Sequence, residues 1–179
     1  MHLKPGTIKL TMAMILCCLA LLTIYSRAQS APGQTKSADA DSAAIKRVFV
    51  KFDENFNRHD AQDTSVFSTD VDFTNMRGVH RSGPNEIAQW LAPLMTGTGT
   101  LSAAHRTDTV RSIRFLTPEV AAVDADSVIS GSKAPDGSTV PPRKGLMIAV
   151  LTKMNGDWKI AIFHEAEFPP AAAAAPAKK

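Results

Sequence analysis

The chain has 179 residues, of which 20 are Lys or Arg and 17 are Asp or Glu, so its formal net charge is +3. Lys4, Lys9 and Arg27 lie in the first 28 residues, which hold no acidic side chain, and the remainder therefore contains 17 basic and 17 acidic residues. A domain without excess positive charge lacks the main source of affinity for phosphate backbones, so the composition argues against a nucleic-acid partner.

The N-terminal segment has the pattern of a cleavable secretory signal. Lys4 and Lys9 precede an apolar or small-residue run of 15 residues, from Leu10 to Ile24, and a small-residue stretch follows at 26–31. A helix needs about 20 apolar residues to cross a bilayer, so a cleaved signal is favoured over a permanent anchor. We expect residues 1–28 to be removed and the mature protein to be periplasmic or secreted, with no contact with the membrane.

Both cysteines, Cys17 and Cys18, lie inside this apolar run, so cleavage of the predicted signal removes them. Residues 14–16 lack the small residue that lipoprotein processing requires, so we expect cleavage near Ala28 and no lipid. The mature protein then has no disulfide and no cysteine ligand for a metal. Residues 29–40 and 169–179 are polar, Ala-rich or Pro-rich, which predicts a disordered lead and a disordered tail around one domain at 41–168.

Helical spacing dominates the first part of the predicted domain. Apolar residues recur at i, i+3, i+4, i+7 and i+11 within 41–57, which predicts an amphipathic helix with the buried stripe Ile45, Val48, Phe49, Phe52 and Phe56. Asp60 is placed to cap a short second helix through residue 67. A third helix is predicted to open at Gly83, with Pro84 in its first turn, and to kink or stop near Ala92 because Pro93 follows. Its predicted stripe is Ile87, Trp90, Leu91 and Leu94.

Alternation typical of strands replaces the helical pattern after Gly99, and a shorter example precedes the third helix. The predicted strands are 71–75 with a return strand near Val79, then 103–116, 120–129, 146–153 and 158–168. Turns are predicted at 117–119 and 155–157, and a long loop at 131–144. Helices first and a long antiparallel meander afterwards predict an α+β fold, in which about three helices cover one face of a strongly curved sheet.

Three segments carry a resemblance to a known family. Residues 56–61 (FNRHDA), 70–78 (DVDFTNMRG) and 156–164 (GDWKIAIFH) resemble the SgcJ/EcaC group of the nuclear transport factor 2-like superfamily. The resemblance covers 41–168, and it implies the cone-shaped fold of ketosteroid isomerase, scytalone dehydratase and SnoaL-type cyclases, with a pocket between sheet and helices and often a homodimer. It implies no particular reaction, because this superfamily contains isomerases, dehydratases, cyclases and non-catalytic binders.

Asp124 and Asp126 are the first candidates for chemistry. They lie two residues apart on a predicted strand and therefore share a face with Val120, Ala122 and Val128. Two carboxylates on an apolar face raise each other's pKa, which is how a general base or a protonated donor is made. The alternative is an exposed or interfacial edge where the two acids meet Arg or Lys.

Two histidines are further candidate proton carriers. His105 begins the first long strand, and His164 follows the alternation of Trp158, Ile160 and Ile162 on the last strand. Each can titrate near neutral pH, and each can equally be a structural histidine. The chain has no His-x-His or His-Glu-x-x-His spacing, so we expect no metal site.

Five residues are candidates for contacting a ligand: Asp72, Phe73, Asn75, Trp90 and Met147. Asp72 and Asn75 flank the predicted hairpin near the expected pocket mouth, while Trp90 is equally compatible with a core position. Tyr25, the one tyrosine, lies in the signal, so an oxyanion hole built on Tyr, as in ketosteroid isomerase, is excluded. No dinucleotide or P-loop fingerprint is present, so we expect no cofactor.

The sequence supports two hypotheses. The first is an exported protein that binds a small, largely apolar molecule in its pocket and performs acid–base chemistry with Asp124, Asp126, His105 or His164. The alternative is a non-catalytic homodimeric module whose pocket is vestigial. A pocket filled by Trp90, Phe73 and Met147 favours the module, and an open cavity that reaches the aspartates favours the first hypothesis.

Overall fold

The computed structural model describes residues 32–168. The predicted signal, residues 1–28, and the predicted tail, residues 169–179, lie outside the described residues. The chain divides into two compact units, residues 1–41 and 42–179, and the architecture below is that of the second. Within the described part of the chain, no helix has both the length and the apolar character needed to cross a bilayer.

Helix α1 spans Pro32–Asn57 and confirms the predicted amphipathic stripe. Ile45, Phe49, Phe52 and Phe56 are all buried on one side of the helix, because their spacing returns every side chain to the same face. The helix begins at Pro32, within the segment 29–40 for which the sequence predicts a lead. Pro32 suits a first helical turn, because its missing N–H has no intrahelical partner there.

The short second helix predicted after Asp60 is not formed. The Asp60 carboxylate does accept hydrogen bonds from the backbone N–H groups of Gln62 and Asp63, both at 3.2 Å, but the chain makes a polar turn there and enters a strand at Phe67. An aspartate that caps its own turn offers the backbone an alternative to helix. The described residues thus contain two helices, of which α2 is Gly83–Met95.

Helix α2 ends three residues beyond the predicted stop at Ala92. Pro93 lies in its final turn, where the missing N–H removes only one intrahelical bond. The Glu86 carboxylate accepts a hydrogen bond of 3.0 Å from the backbone N–H of Ser82, which fixes the entry into the helix. Ile87 is fully buried, whereas Trp90, Leu91 and Leu94 are only partly buried.

Six strands form one curved, mixed sheet in the order β2-β1-β6-β5-β4-β3. Their bounds are β1 Phe67–Thr74, β2 His80–Ser82, β3 His105–Thr117, β4 Val120–Ser130, β5 Arg143–Met154 and β6 Asp157–Glu167. Strands β3 to β6 form the predicted antiparallel meander, and β1 joins it by pairing parallel to β6. Register shifts interrupt β1, β3 and the β5–β6 pair, and such bulges bend and twist strands.

Two clusters of buried apolar side chains lie on the helix-covered face of the sheet. The larger joins Ile45 and Phe49 of α1 and Ile87 of α2 to inward-facing strand residues such as Met147 and Phe163. The smaller, which includes Phe56, Met76, Leu101 and Ile129, lies toward the end of α1 and the start of β3. The α+β class and the helix-covered curved sheet predicted from the sequence are therefore confirmed.

Candidate functional site

A cavity of about 100 Å³ lies where the two clusters meet, between the helices and the inner face of the sheet. Its apolar lining consists of Phe52, Phe56, Phe73, Met76, Trp90, Leu91, Leu94, Leu101 and Ile129. Its polar lining consists of Asn75, Arg77, Thr100, Arg106, Ser132, Lys133, Arg143 and Glu165. Apolar walls with a few converging polar groups are the usual form of a small-molecule site.

Arg106 is a deeply buried charged group of the cavity wall, with 3% of its surface exposed. Its guanidinium donates to both carboxylate oxygens of Glu165, at 2.9 and 3.5 Å, and its Nε donates to Asp108 at 3.0 Å. It also lies over the rings of Phe52 and Phe163, 4.9 and 5.5 Å from their centroids. Burial alone would lower the pKa of Arg106, but the charges of Glu165 and Asp108 outweigh burial and raise it.

Asp53 is the third acid beside Arg106, with 3.7 Å between its Oδ1 and the arginine Nε. Its Oδ2 accepts a hydrogen bond of 2.8 Å from the backbone N–H of Asp108. Burial, and then the negative charge of Asp108, raise the pKa of Asp53 to about 7. One cation thus faces three acids, and the excess negative charge is relieved because Asp53 keeps its proton up to about neutral pH.

The end of α1 is fixed to the start of β3 by Asn57. Its side-chain oxygen accepts from the backbone N–H of Arg106 at 2.7 Å, and its side-chain nitrogen donates to the Arg106 carbonyl at 2.9 Å. The helix ends at Asn57, and His59, two residues beyond, has a left-handed φ of 56°. The Asn-Arg-His-Asp motif therefore has a structural role, because it ends α1 and positions Arg106 at the cavity.

The opposite wall of the cavity comes from the segment that follows β4. Gly131 has a φ of +71°, and a Cβ there would lie 2.3 Å from the carbonyl oxygen of Ala103. The Ser132 carbonyl accepts from the backbone N–H of Val140, and the Lys133 N–H donates to the Thr100 carbonyl. Ser132 and Lys133 are thus held at the cavity by backbone hydrogen bonds on both sides.

Three of the predicted ligand contacts, Phe73, Asn75 and Trp90, do line the cavity. Phe73 and Trp90 contact each other with ring centroids 5.9 Å apart and form one aromatic wall. Met147 is fully buried in the larger cluster and does not border the cavity. Asp72 lies on the other face of β1, because neighbouring residues of a strand point to opposite sides.

The predicted pairing of Asp124 and Asp126 on one face of β4 is correct, but that face points away from the cavity. Residues 121, 123, 125, 127 and 129 are the buried set of this strand. Asp124 accepts a hydrogen bond of 2.7 Å from the Ser112 hydroxyl, and Asp126 lies 3.5 Å from the Arg111 guanidinium. Alternation defines two faces without saying which is covered, and the alternative interpretation, acids that meet Arg on an exposed face, describes the arrangement found.

His164 also points away from the cavity, because a bulge reverses the alternation of β6. Residue 150 pairs with 162 while 151 pairs with 160, so Ala161 is an extra residue in the strand. Beyond it Phe163 and Glu165 face inward, and Ile162 and His164 face outward. His164 Nε2 lies 3.3 Å from Asp72 Oδ1, and His80 Nε2 lies 3.2 Å from the same oxygen.

His105 is exposed at the first position of β3 and does not line the cavity. The four candidate proton carriers are therefore not brought together, and the cavity neither reaches the aspartates nor is filled by Trp90, Phe73 and Met147. Among residues 32–168, no three His, Cys, Asp or Glu side chains form a group that could hold a metal ion.

Sequence reasoning missed most of the polar lining. Glu165 was hidden by the bulge in β6, and Arg143 and Ser132 lay in or beside a segment interpreted as a loop. Arg106 was not among the predicted site residues. A usable signal was present: Arg106 and Asp108 alternate onto the face that carries Val110, which is a costly place for two charges unless they pair.

No protein-family model and no curated protein sequence matches the chain. Solved structures do match. An NTF-2 like protein of unknown function from Shewanella oneidensis has a TM-score of 0.56 and 16% identity, with 70% of this chain and 98% of that chain covered. The chain has the nuclear transport factor 2-like fold.

Two further structures share this nuclear transport factor 2-like fold. A ketosteroid isomerase-like protein from Erwinia carotovora atroseptica has a TM-score of 0.59 and 16% identity, covering 72% of this chain and 96% of that one. A hexachlorocyclohexane dehydrochlorinase (LinA, type 2) has a TM-score of 0.63 and 14% identity, covering 80% and 99%. Identities this low establish the fold alone, so membership of the SgcJ/EcaC group stays a prediction.

Proposed function

We propose that this protein binds a small, largely apolar molecule in the cavity between its helices and sheet. The observation that carries the proposal is the lining itself: nine apolar side chains enclose about 100 Å³, and polar groups converge on one part of it. An engineered cavity of about 150 Å³ with apolar walls accepts benzene, so the bound portion of the ligand is about the size of a small ring or a short alkyl chain.

Trp90 gives the proposal a direct readout, because it lines the cavity while Trp158 lies in the core. We expect small cyclic or short-chain molecules to change the tryptophan fluorescence of the chain, and the change to disappear in Trp90→Phe. Leu94→Trp fills the cavity and is expected to abolish binding. Ile148→Trp, on the outer face of the sheet, is the control and is expected to leave binding unchanged.

Native mass spectrometry of protein purified from its own compartment tests for a retained ligand. The proposal is rejected if no ligand mass is retained and no fluorescence response is lost in Leu94→Trp.

Acid–base chemistry is a second candidate function, and the observation in its favour is Glu165. It is the one carboxylate in the described cavity lining, and Arg106 fixes its orientation with two hydrogen bonds. In this candidate function Glu165 is the proton carrier, the role that the sequence analysis gave to Asp124, Asp126, His105 and His164. Glu165→Gln is expected to keep ligand binding and to lose turnover of any molecule the wild type converts, while Asp126→Asn and His164→Gln change neither.

A homodimer is part of the same proposal, with the outer face of the sheet as the contact surface. Ile148 and Ile162 expose 49% and 40% of their surface there, and Val150 lies in register with Ile162. On the neighbouring strand β4, Ala122 is in register with Val150 and shares the outer face. Asp124 and His164 border Ile148 on the same face. Exposed apolar side chains grouped on a solvent-facing sheet and bordered by polar ones are typical of an interaction surface, and a second copy of the chain offers the same patch in a closed, two-fold arrangement.

Export also remains a proposal, supported by the residue pattern of 1–28. Mass determination of the protein recovered from the periplasm or the medium tests it directly. A mature chain that starts near Gln29 supports cleavage, and an intact chain retained in the cytoplasm rejects it.

A further inference from the structure

Two arginines flank Ile129 of β4, one from each of the two strands that pair with β4. The register pairs Arg106 with Ile129 between β3 and β4, and Ile129 with Arg143 between β4 and β5. All three side chains line the cavity. Arg106 is neutralised by Glu165 and Asp108, whereas Arg143 forms no ion pair with any residue of the described range 32–168. Of these two guanidinium groups, only that of Arg106 is held in an ion pair by the described residues.

The Nε of Arg143 is buried and has no hydrogen-bond partner among the described residues. Burial lowers the pKa of Arg143, the positive charge of Arg77 lowers it further, and the charges of Glu167 and Glu165 offset these effects only in part. Buried polar groups without partners are rare in native proteins, so this Nε calls for a partner from outside the described residues.

Ser132 is a second polar group that is left incomplete at the same cavity. Only 4% of the residue is exposed, its side-chain oxygen has no partner in the described part of the chain, and it lines the cavity. Its position is fixed by its carbonyl, which accepts from Val140 at 2.9 Å. Lys133 and Arg77 add two more cations to the described lining, where Glu165 is the single carboxylate.

We infer that the ligand of this cavity is a small carboxylate, whose apolar body lies against Phe73 and Trp90 and whose carboxylate accepts hydrogen bonds from Arg143 and the Ser132 hydroxyl. The inference rests on the proposed small-molecule function and names its ligand class. A carboxylate supplies the missing negative charge, and its two oxygens match the parallel donors of a guanidinium. Arg106 already donates to Asp108 and Glu165, so Arg143 is the guanidinium with a free donor for the ligand in the described part of the chain.

The experiment compares acids with alcohols of the same shape by calorimetry and Trp90 fluorescence on the full folded chain. The probes are butyrate with 1-butanol, benzoate with benzyl alcohol, and phenyl phosphate. We expect each carboxylate to bind at least about tenfold more tightly than its alcohol, because a hydrogen-bonded charge pair contributes on the order of a tenfold to a hundredfold in affinity. Arg143→Gln is expected to remove this advantage and to change alcohol affinity by less than about twofold.

Arg114→Gln is the matched control, because Arg114 is an exposed arginine of β3 outside the cavity lining, and it is expected to change neither affinity. Without ligand, the melting temperature of Arg143→Gln is not expected to fall, because the substitution removes a partly buried cation that no described residue neutralises. A clear fall would assign Arg143 a structural role and overturn the inference.

Other outcomes separate the inference from the function it rests on. If the alcohols bind as tightly as the acids, the inference of a carboxylate ligand is wrong, while the proposed apolar pocket is supported. If phenyl phosphate binds more than tenfold more tightly than benzoate, the ligand class is a phosphate and the carboxylate inference is wrong. Carboxylate binding that survives Arg143→Gln would overturn the assigned residues, and no binding by any probe would overturn the pocket at this ligand size as well.

Discussion

Asp53 provides a test of the buried charge cluster through a single side chain. Its pKa is raised from 3.8 to about 7 by burial and by the charge of Asp108. Between these pH values the Asp53 side chain keeps a proton in the folded chain and releases it in the unfolded chain, so its contribution to the free energy of unfolding falls as pH rises from about 4 to about 7. Asp53→Asn mimics the protonated side chain, and Asn can still accept from the Asp108 N–H and donate to its carboxylate.

We therefore expect Asp53→Asn to be more stable than the wild type at pH 8 and to match it near pH 4. Urea denaturation across this range measures the difference. Asp157→Asn, at an exposed position where β6 begins, is the control and should follow the wild-type curve. A wild-type and an Asp53→Asn curve that stay parallel from pH 4 to pH 8 would contradict the assignment.

Arg106 and Arg111 form ion pairs in opposite environments. The Arg106–Glu165 pair is buried, with 3% and 2% of the two side chains exposed, whereas the Arg111–Asp126 pair exposes 55% and 48%. Removing one partner of a buried pair leaves an uncompensated charge, so Arg106→Met is expected to lower the free energy of unfolding by about 3–5 kcal/mol. Arg111→Met is expected to lower it by less than about 1 kcal/mol. Equal losses in chemical denaturation would be inconsistent with this charge cluster.

Among the elements, the segment between β4 and β5 depends on a glycine. Gly131 and Gly137 both have positive φ, +71° and +83°, but a Cβ at 131 would lie 2.3 Å from a backbone oxygen whereas one at 137 meets nothing within 4 Å. Gly137→Ala carries only the strain of its backbone conformation, about 1–2 kcal/mol. Gly131→Ala adds a steric clash, so it is expected to lose clearly more stability and to displace the neighbouring Ser132 from the cavity.

Thermal denaturation of the two variants, together with carboxylate binding, measures this difference. Gly137→Ala is expected to bind the probes like the wild type. Gly131→Ala is expected to bind them more weakly at a temperature where it is still folded. Equal melting temperatures for the two variants would show that the close approach of Gly131 to Ala103 is not maintained.

For the molecule as a whole, the proposed homodimer would have the outer face of the sheet as its contact surface. Ile148→Glu and Ile162→Glu place charges in the apolar patch, where they would be desolvated in a sheet-to-sheet dimer. We expect the double variant to halve the mass measured by light scattering and to keep the far-ultraviolet circular dichroism of the wild type. Val50→Glu, at an exposed apolar position of α1 and not on the sheet, is the control and should stay dimeric. A wild type that is monomeric at micromolar concentration would exclude the dimer.

Local patterns in the sequence were enough to predict the order and type of nearly every element. The 3.6-residue stripe of α1 and the turns at 117–119 and 155–157 are such patterns, and the sheet that they predict is present. The sequence also placed Phe73, Asn75 and Trp90 near the pocket, where they are found. Local signals sufficed because backbone propensity and amphipathic spacing act over a few residues.

The choice of polar groups that enter the cavity depends on tertiary contacts. One extra residue, Ala161, turns His164 outward and Glu165 inward, and nothing in the sequence of β6 marks this bulge. The burial of Arg106 with Asp53 and Glu165 joins residues more than 50 positions apart. Which face of β4 is covered likewise depends on where α1 and α2 pack. Sequence patterns could not reveal these features, because the energy of a buried charge is set by its partners in space and not by its neighbours along the chain.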